Sequence, residues 1–228
     1  MGNCLYCFEP IQLSITWKNI VQIEGSPLLC RDCKNKLEFI QGPRCLSCSR
    51  RSNFDNCFDC LKWKSHYHED DPLKKNISIF VYNDFMQDVM TKWKYRGDYV
   101  LGYIFSEYVQ QYFNQHYAHM NKEVVVIPIP LTSKRLSIRS FNQAEMLVNF
   151  IKGVKKYQLK RVGNEKQAKK SKKERMMTEN PFKLLNSLNK TVVLVDDIYT
   201  TGRTLRHAAQ LLKDNGCHDV FALTLCRA

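Results

Sequence analysis

Between Val192 and Leu205 the chain reads VVLVDDIYTTGRTL, and its residue types converge on one chemistry. An apolar run that reads as a buried strand ends in two adjacent acids, Asp196 and Asp197. Thr200, Thr201 and Gly202 form a short turn rich in hydroxyls and glycine, and Arg203, Thr204 and Leu205 open a helical pattern. A ligand past the end of such a strand meets free N–H groups and the positive end of the helix dipole, both of which favour a phosphate. The threonine hydroxyls add donors, Gly202 lets the backbone approach without a Cβ, and the carboxylates can accept hydrogen bonds from sugar hydroxyls. A helix cap needs only one Asp or Thr. Here two acids, three threonines and a glycine share positions 196 to 204, which predicts a ribose-phosphate site.

The second chemistry is metal binding. Eight of the ten cysteines form the pairs Cys4/Cys7, Cys30/Cys33, Cys45/Cys48 and Cys57/Cys60. Two intervening residues let both thiolates of a pair reach one ion, and two pairs complete a closed tetrahedral site. Four pairs therefore predict two structural Zn²⁺ sites. Neighbouring pairs are expected to combine, the first with the second and the third with the fourth; a cross-braced arrangement is the alternative. A redox Cys-x-x-Cys would open a helix in a thioredoxin-like context, which the sequence lacks. Cys217 and Cys226 stand alone and read as buried small hydrophobes.

The net charge is +13, and +9 of it lies between Lys152 and Arg175, where eleven Lys or Arg face only Glu165 and Glu174. Such a segment suits a polyphosphate or a nucleic-acid backbone, or it is a solvated loop. No run of eighteen apolar residues is present, so no membrane-spanning helix is expected, and the start shows no secretory signal. With the cysteine pattern this points to a cytoplasmic protein in a reducing compartment. No Ser-His-Asp or Cys-His arrangement is visible.

Several elements must position these groups. Residues 1–70 hold all four cysteine pairs with little helical periodicity, and read as a module built around metal. A polar stretch containing Pro72 marks a boundary, and 71–228 read as a second domain. Ile77 to Tyr82 reads as a strand. Asn83 or Asp84 caps a helix with the stripe Phe85, Val89, Met90 and Trp93, ended by Gly97. A second helix is expected over Leu101 to Tyr112, a buried strand over Val124 to Ile127, and a helix from Asn142 to about Lys152. Tyr157 to Leu159 suggests a short strand. Val192 to Val195, a helix over Arg203 to Asn215 and a strand over Val220 to Leu225 complete the set. Alternating strands and helices predict an α/β fold with a parallel sheet flanked by helices.

The strand, acid pair and Thr-Thr-Gly turn resemble the signature of type I phosphoribosyltransferases, and the whole chain resembles the ComF family. The narrower likeness rests on the paired cysteines and on Lys94-Tyr95-Arg96-Gly97. It rests also on Pro128-Ile129-Pro130-Leu131 followed by Arg135 and by Arg139-Ser140-Phe141-Asn142-Gln143, and on Gln167 through Arg175 to Asn180-Pro181-Phe182. The family usually has glycine where Ser140 stands, often threonine near Asn164 and an apolar residue near Lys170, so this loop is more basic than its relatives.

The resemblance implies a type I phosphoribosyltransferase-like domain preceded by a small zinc-binding module. Asp196 and Asp197 would bind the ribose hydroxyls of phosphoribosyl diphosphate. Thr200, Thr201, Gly202, Arg203 and Thr204 would cradle its 5-phosphate, with Lys94 and Arg96 as further substrate-binding groups. Arg135 and Arg139 would face the diphosphate, which Mg²⁺ would bridge. The segment from Lys160 to Arg175 would be a mobile loop closing over the site. The function implied is phosphoribosyl transfer to an unknown acceptor within natural competence. The alternative is a non-catalytic adaptor holding single-stranded DNA through 152–175, or a ComFA-like helicase partner, at membrane-associated uptake machinery.

Overall fold

The β-branched apolar runs become the centre of a sheet. In a computed structural model that describes residues 2–11, 27–120, 124–152, 154–155, 159–162, 180–186 and 188–228, five parallel strands lie in the order β1-β7-β6-β2-β3. They are β1 (Lys75–Val81), β2 (Val125–Pro128), β3 (Val154–Lys155), β6 (Val192–Tyr199) and β7 (Val220–Arg227). A separate antiparallel ribbon pairs β4 (Leu159–Arg161) with β5 (Phe182–Leu184). The helices are α1 (Arg31–Asn35), α2 (Phe58–His66), α3 (Asp84–Tyr95), α4 (Ser106–Tyr117), α5 (Ser133–Arg139), α6 (Gln143–Asn149) and α7 (Arg203–Asp214).

Because side chains alternate across a strand, each strand feeds two cores. Val126, Val193, Val195, Leu223 and Leu225 join Met86, Val89, Met90 and Trp93 of α3, Val109 and Phe113 of α4 and Leu147 of α6 on one face. Val125, Ile127, Val192, Leu194 and Ala222 meet Leu205, Ala208, Ala209 and Leu212 of α7 on the other. Cys4 and Cys33 belong to the first core, and Cys45, Cys48, Cys57 and Cys60 to the second. The cysteine-bearing stretch thus straddles the sheet at the β1 edge.

It also covers that edge. Asn76 N–H donates to Ser47 C=O (2.8 Å), Ser78 N–H to Ser49 Oγ (3.2 Å), Val81 N–H to Glu38 C=O (2.8 Å) and Ile40 N–H to Ile79 C=O (3.0 Å). An edge strand's unpaired groups are a template for unwanted pairing, and here they are satisfied within the chain.

Several elements differ from expectation. The strand starting at Val192 does not stop before the acids but runs on to Tyr199, held by pairings such as Asp196 with Thr224 and Tyr199 with Arg227 on β7. The expected helix over Leu101 to Tyr112 divides into a 3₁₀ segment (Tyr99–Phe105), capped by Asp98, and α4. The helix from Asn142 ends at Asn149 rather than Lys152. Helix α5 was not anticipated: none of its seven residues is buried, so it carries no apolar stripe. Of the short strand read at Tyr157 to Leu159, only Leu159 is described, and it begins β4.

Candidate functional site

The site is assembled at the carboxyl ends of the central strands, where a sheet of this kind presents its loops. Past Tyr199 the chain turns through Thr200, Thr201 and Gly202 into α7. Gly202 has φ of +77°. A Cβ there would collide with the Tyr199 hydroxyl and the Arg206 guanidinium, so only glycine fits this turn. Thr201 Oγ1 accepts from Arg203 N–H at 3.4 Å, and Gly202 at the N-cap has no side chain with which to cap the helix.

Asp196 and Asp197 sit one residue apart on β6, with Asp197 N–H donating to Asp196 Oδ1 at 2.9 Å. Lys94, on the last turn of α3, pairs with Asp197 at 2.5 Å, and both side chains are largely enclosed. Among the described residues Asp196 has no such partner. Its low-dielectric surroundings and the Asp197 charge push its carboxyl up to about 8, against the pull of Asp197 N–H, Lys94 and Arg161.

Arg139 and Arg161 are each held by neighbours of their own, and Arg161 acts on Asp196. Arg139 donates through Nη1 to Gln143 Oε1 (3.1 Å) and through Nη2 to Tyr95 Oη (3.3 Å), its guanidinium 5.2 Å from the Tyr95 ring centre. Gln143 is buried, and its Nε2 has no hydrogen-bond partner among the described residues. Arg161 on β4 lies over the Phe182 ring of β5 at 5.4 Å. Burial and the Arg135 charge lower its basicity while Asp196 raises it, which sets Arg161 within electrostatic reach of both. Asn180, just before β5, donates through Nδ2 to His207 C=O on α7 at 2.5 Å.

The cysteine side chains gather in two groups, Cys4, Cys7, Cys30 and Cys33, and Cys45, Cys48, Cys57 and Cys60. Neighbouring pairs combine, and no cross-bracing occurs. Within each group the sulfurs lie within 4.8 Å of one another, with Cys7 to Cys30 at 3.7 Å and Cys48 to Cys57 at 3.6 Å. A tetrahedral ZnS₄ centre has sulfurs about 3.8 Å apart. The thiols compete for charge as such a cluster must. Hydrogen bonds from Cys48 and Cys60 push Cys45 far down, and the same bond from Cys45 pushes Cys60 far up. Burial opposes ionisation of Cys4, but backbone N–H groups of Cys7, Cys30 and Tyr6 bring it down to about 6. A soft divalent cation would accept four thiolates where protons permit few. The residues fit two structural Zn²⁺ ions.

The two clusters are built alike. Phe8 N–H donates to Cys4 C=O and Ser49 N–H to Cys45 C=O; Leu5 N–H donates to Leu28 C=O and Leu46 N–H to Asp55 C=O. Phe8 and Ser49 follow their pairs at φ of +64° and +63°. Cys30 and Cys57 each occupy the N-cap of the next helix. The module is a tandem repeat, with twenty-two residues between Cys7 and Cys30 but eight between Cys48 and Cys57.

Residues 104–228 match the phosphoribosyl transferase domain family. The chain is 34% identical to competence protein ComFC of Bacillus subtilis, covering 99% of this chain and 95% of that one. It is 29% identical to competence protein ComFC of Streptococcus pneumoniae, over 99% and 100% of the two chains. Competence protein F of Haemophilus influenzae is 25% identical over 88% of this chain and 90% of its own length. The chain belongs to the ComFC family of phosphoribosyltransferase-type proteins.

In this ComFC-family chain the residues picked from sequence occupy distinct places. Asp196, Asp197, Lys94 and the Thr200–Thr204 loop stand at the carboxyl end of β6, and Arg139 stands beside Tyr95 near the end of α3. Arg135 is exposed on α5. Arg96 is also exposed, and its charge acts on Asp88 rather than on the acid pair. Ser140 adopts φ of +64°, a left-handed position where a glycine would carry no strain. Positions 163–179, most of the basic segment, lie outside the described residues. Sequence reasoning missed Arg161, Gln143, Trp63, Asp71 and Arg206. For Gln143 the signal was its place in the Arg139–Gln143 motif; for the others only the folded contacts reveal them.

Proposed function

We propose that the chain binds 5-phosphoribosyl diphosphate with Mg²⁺ at the carboxyl end of β6, acts in natural competence, and transfers the phosphoribosyl group to an acceptor. One observation carries this reading: an adjacent acid pair on β6, with Lys94 on Asp197, stands beside a glycine-dependent loop at the start of α7, within the matched phosphoribosyl transferase region. The α7 N-terminus and the threonine hydroxyls would hold the 5-phosphate. Asp196 and Asp197 would accept hydrogen bonds from the ribose hydroxyls, with Lys94 released from Asp197. Arg135, Arg139 and Arg161 would face the diphosphate. Mg²⁺, when bound with the ligand, supplies charge neutralisation on the diphosphate oxygens. As the acceptor's lone pair forms its bond to C1, the C1–O bond breaks and the diphosphate leaves with the electron pair. The chain's part is to position the groups and stabilise the leaving charge, which needs no catalytic triad.

A second reading draws on Phe54 and Phe58, which are 76% and 69% exposed on the second repeat, with Lys62 Nζ 4.3 Å from the Phe58 ring centre. Exposed rings interleaved with cations suit single-stranded nucleic acid or a docking partner such as a ComFA-like helicase. Calorimetric titration with phosphoribosyl diphosphate, with and without Mg²⁺, separates the readings. Binding that needs the metal and is lost in Asp196→Asn/Asp197→Asn supports the first. Absence of binding by the folded protein, with oligonucleotide affinity falling steeply in salt, supports the second.

A further inference from the structure

We infer that Trp63, on the second cysteine repeat, is a positioning residue for the phosphate loop and sets its affinity for a sugar 5-phosphate; this rests on the reading proposed above. A turn of two threonines and a glycine has little stiffness of its own. In this chain it is held from outside. Trp63 Nε1 donates to Thr201 C=O at 2.8 Å, across 138 positions of sequence.

That bond fixes more than one oxygen. The Thr201 carbonyl and the Gly202 N–H belong to one planar trans peptide and point in opposite directions. Turning the carbonyl toward Trp63 turns the Gly202 N–H to the opposite side of the loop, into the set of donors at the start of α7. Without the indole donor the peptide is free to rotate, and the donor set loses its common aim.

Trp63 is itself anchored. It lies on α2 three residues after Cys60, and Cys57 caps that helix, so the second thiol cluster sets where the indole stands. The ring stacks on Tyr67 at 5.9 Å, and Arg206 lies 4.7 Å from its centre. Arg206 is 1% exposed; it grips Asp71 through Nε and Nη2 and donates from Nη1 to Tyr199 Oη at 2.8 Å. Tyr199 Oη and Arg206 are the groups that fill the space a Cβ at Gly202 would need. The loop is therefore clamped on both sides of the Thr201–Gly202 peptide by residues the proposed mechanism does not use.

The test compares wild type with Trp63→Phe, which keeps a ring over Arg206 and removes only the donor. Two probes are titrated calorimetrically with Mg²⁺: ribose 5-phosphate, which needs the loop, and pyrophosphate, which does not. The expected result is roughly fivefold weaker binding of ribose 5-phosphate, the worth of one hydrogen bond, with pyrophosphate affinity and zinc content unchanged. Equal loss for both probes would mean general loosening and would overturn the inference, as would loss for neither. Wild type that binds neither these probes nor phosphoribosyl diphosphate overturns the proposed function, and the inference falls with it.

Discussion

The two cysteine repeats share one backbone plan and serve opposite faces of the sheet. The first grips α3: Tyr6, inside Cys4-x-x-Cys7, donates to Asp88 at 2.7 Å, packs on Phe85 at 4.7 Å and lies 3.9 Å beneath Lys92 Nζ. The second grips the Thr200–Gly202 loop and α7, through Trp63 and through the Asp71–Arg206 pair that flanks Trp63. Both lead to the site, but by different lengths. From Tyr6 the path runs along a regular helix before reaching Lys94; from Trp63 it reaches the loop in one hydrogen bond. Two cysteine repeats of one plan thus support different elements, one a helix and the other the Thr200–Gly202 loop.

Removing one metal is the largest way to test this division. Cys33→Ser and Cys60→Ser should each reduce bound zinc from two ions to one by native mass spectrometry, since a structural site supplies on the order of 10 kcal/mol of local folding energy. Cys60→Ser should also abolish ribose 5-phosphate binding, whereas Cys33→Ser should weaken it less. Equal loss in both variants would erase the proposed difference between the repeats.

The next largest effect should come from Asp71→Ala. It strands Arg206, which is 1% exposed, without its carboxylate. Breaking a buried pair from one side costs about 3–5 kcal/mol, measurable by urea unfolding. A loss below 1 kcal/mol would show that water or Tyr199 compensates and that the clamp on Gly202 is weaker than its geometry suggests.

The acid pair should show the reverse sign. In the folded chain the Asp196 carboxyl keeps its proton to about pH 8, whereas an unfolded Asp releases it near pH 4. Between those values the native state binds more protons than the unfolded state, so this group's stability contribution falls as pH rises and is fully lost above about 8. Asp196→Asn stays neutral throughout. It should stabilise the ligand-free protein by about 2 kcal/mol at pH 8.5, after discounting for the partly open site, and by nothing at pH 3.5. Thermal melts at the two pH values check this. A binding site that stores unfavourable charge is expected to gain stability when that charge is removed.

How much of this was readable in the chain follows from distance along it. Asp196, Asp197, Thr200, Thr201 and Gly202 form one contiguous stretch, so their chemistry was legible before any fold was known. Cys-x-x-Cys spacing was equally local, although unequal spacers of twenty-two and eight residues hid the repeat. Trp63, Asp71 and Arg206 were illegible because their meaning arises from contacts between α2, the boundary segment and α7. Arg161 was one of eleven cations until β4 paired with β5 and set it near Asp196. The extra length of β6 was also hidden: aspartates disfavour strands, yet pairing with β7 carries the strand through both of them.

Tyr6→Phe gives the smallest and most discriminating effect. The substitution keeps the ring against Phe85 and beneath Lys92 and removes only the hydroxyl that donates to Asp88, so stability should fall by about 1 kcal/mol. Asp88 keeps Lys92 at 2.9 Å, and α3 keeps its Asn83 cap and its buried stripe, so Lys94 should stay against Asp197. Ribose 5-phosphate affinity should then remain within about twofold of wild type, although Tyr6→Phe and Trp63→Phe each delete one ring donor from one repeat. If instead Tyr6→Phe weakens binding as much as Trp63→Phe, α3 transmits the state of the first repeat to Lys94. The site would then be tuned by both metals rather than by the second alone.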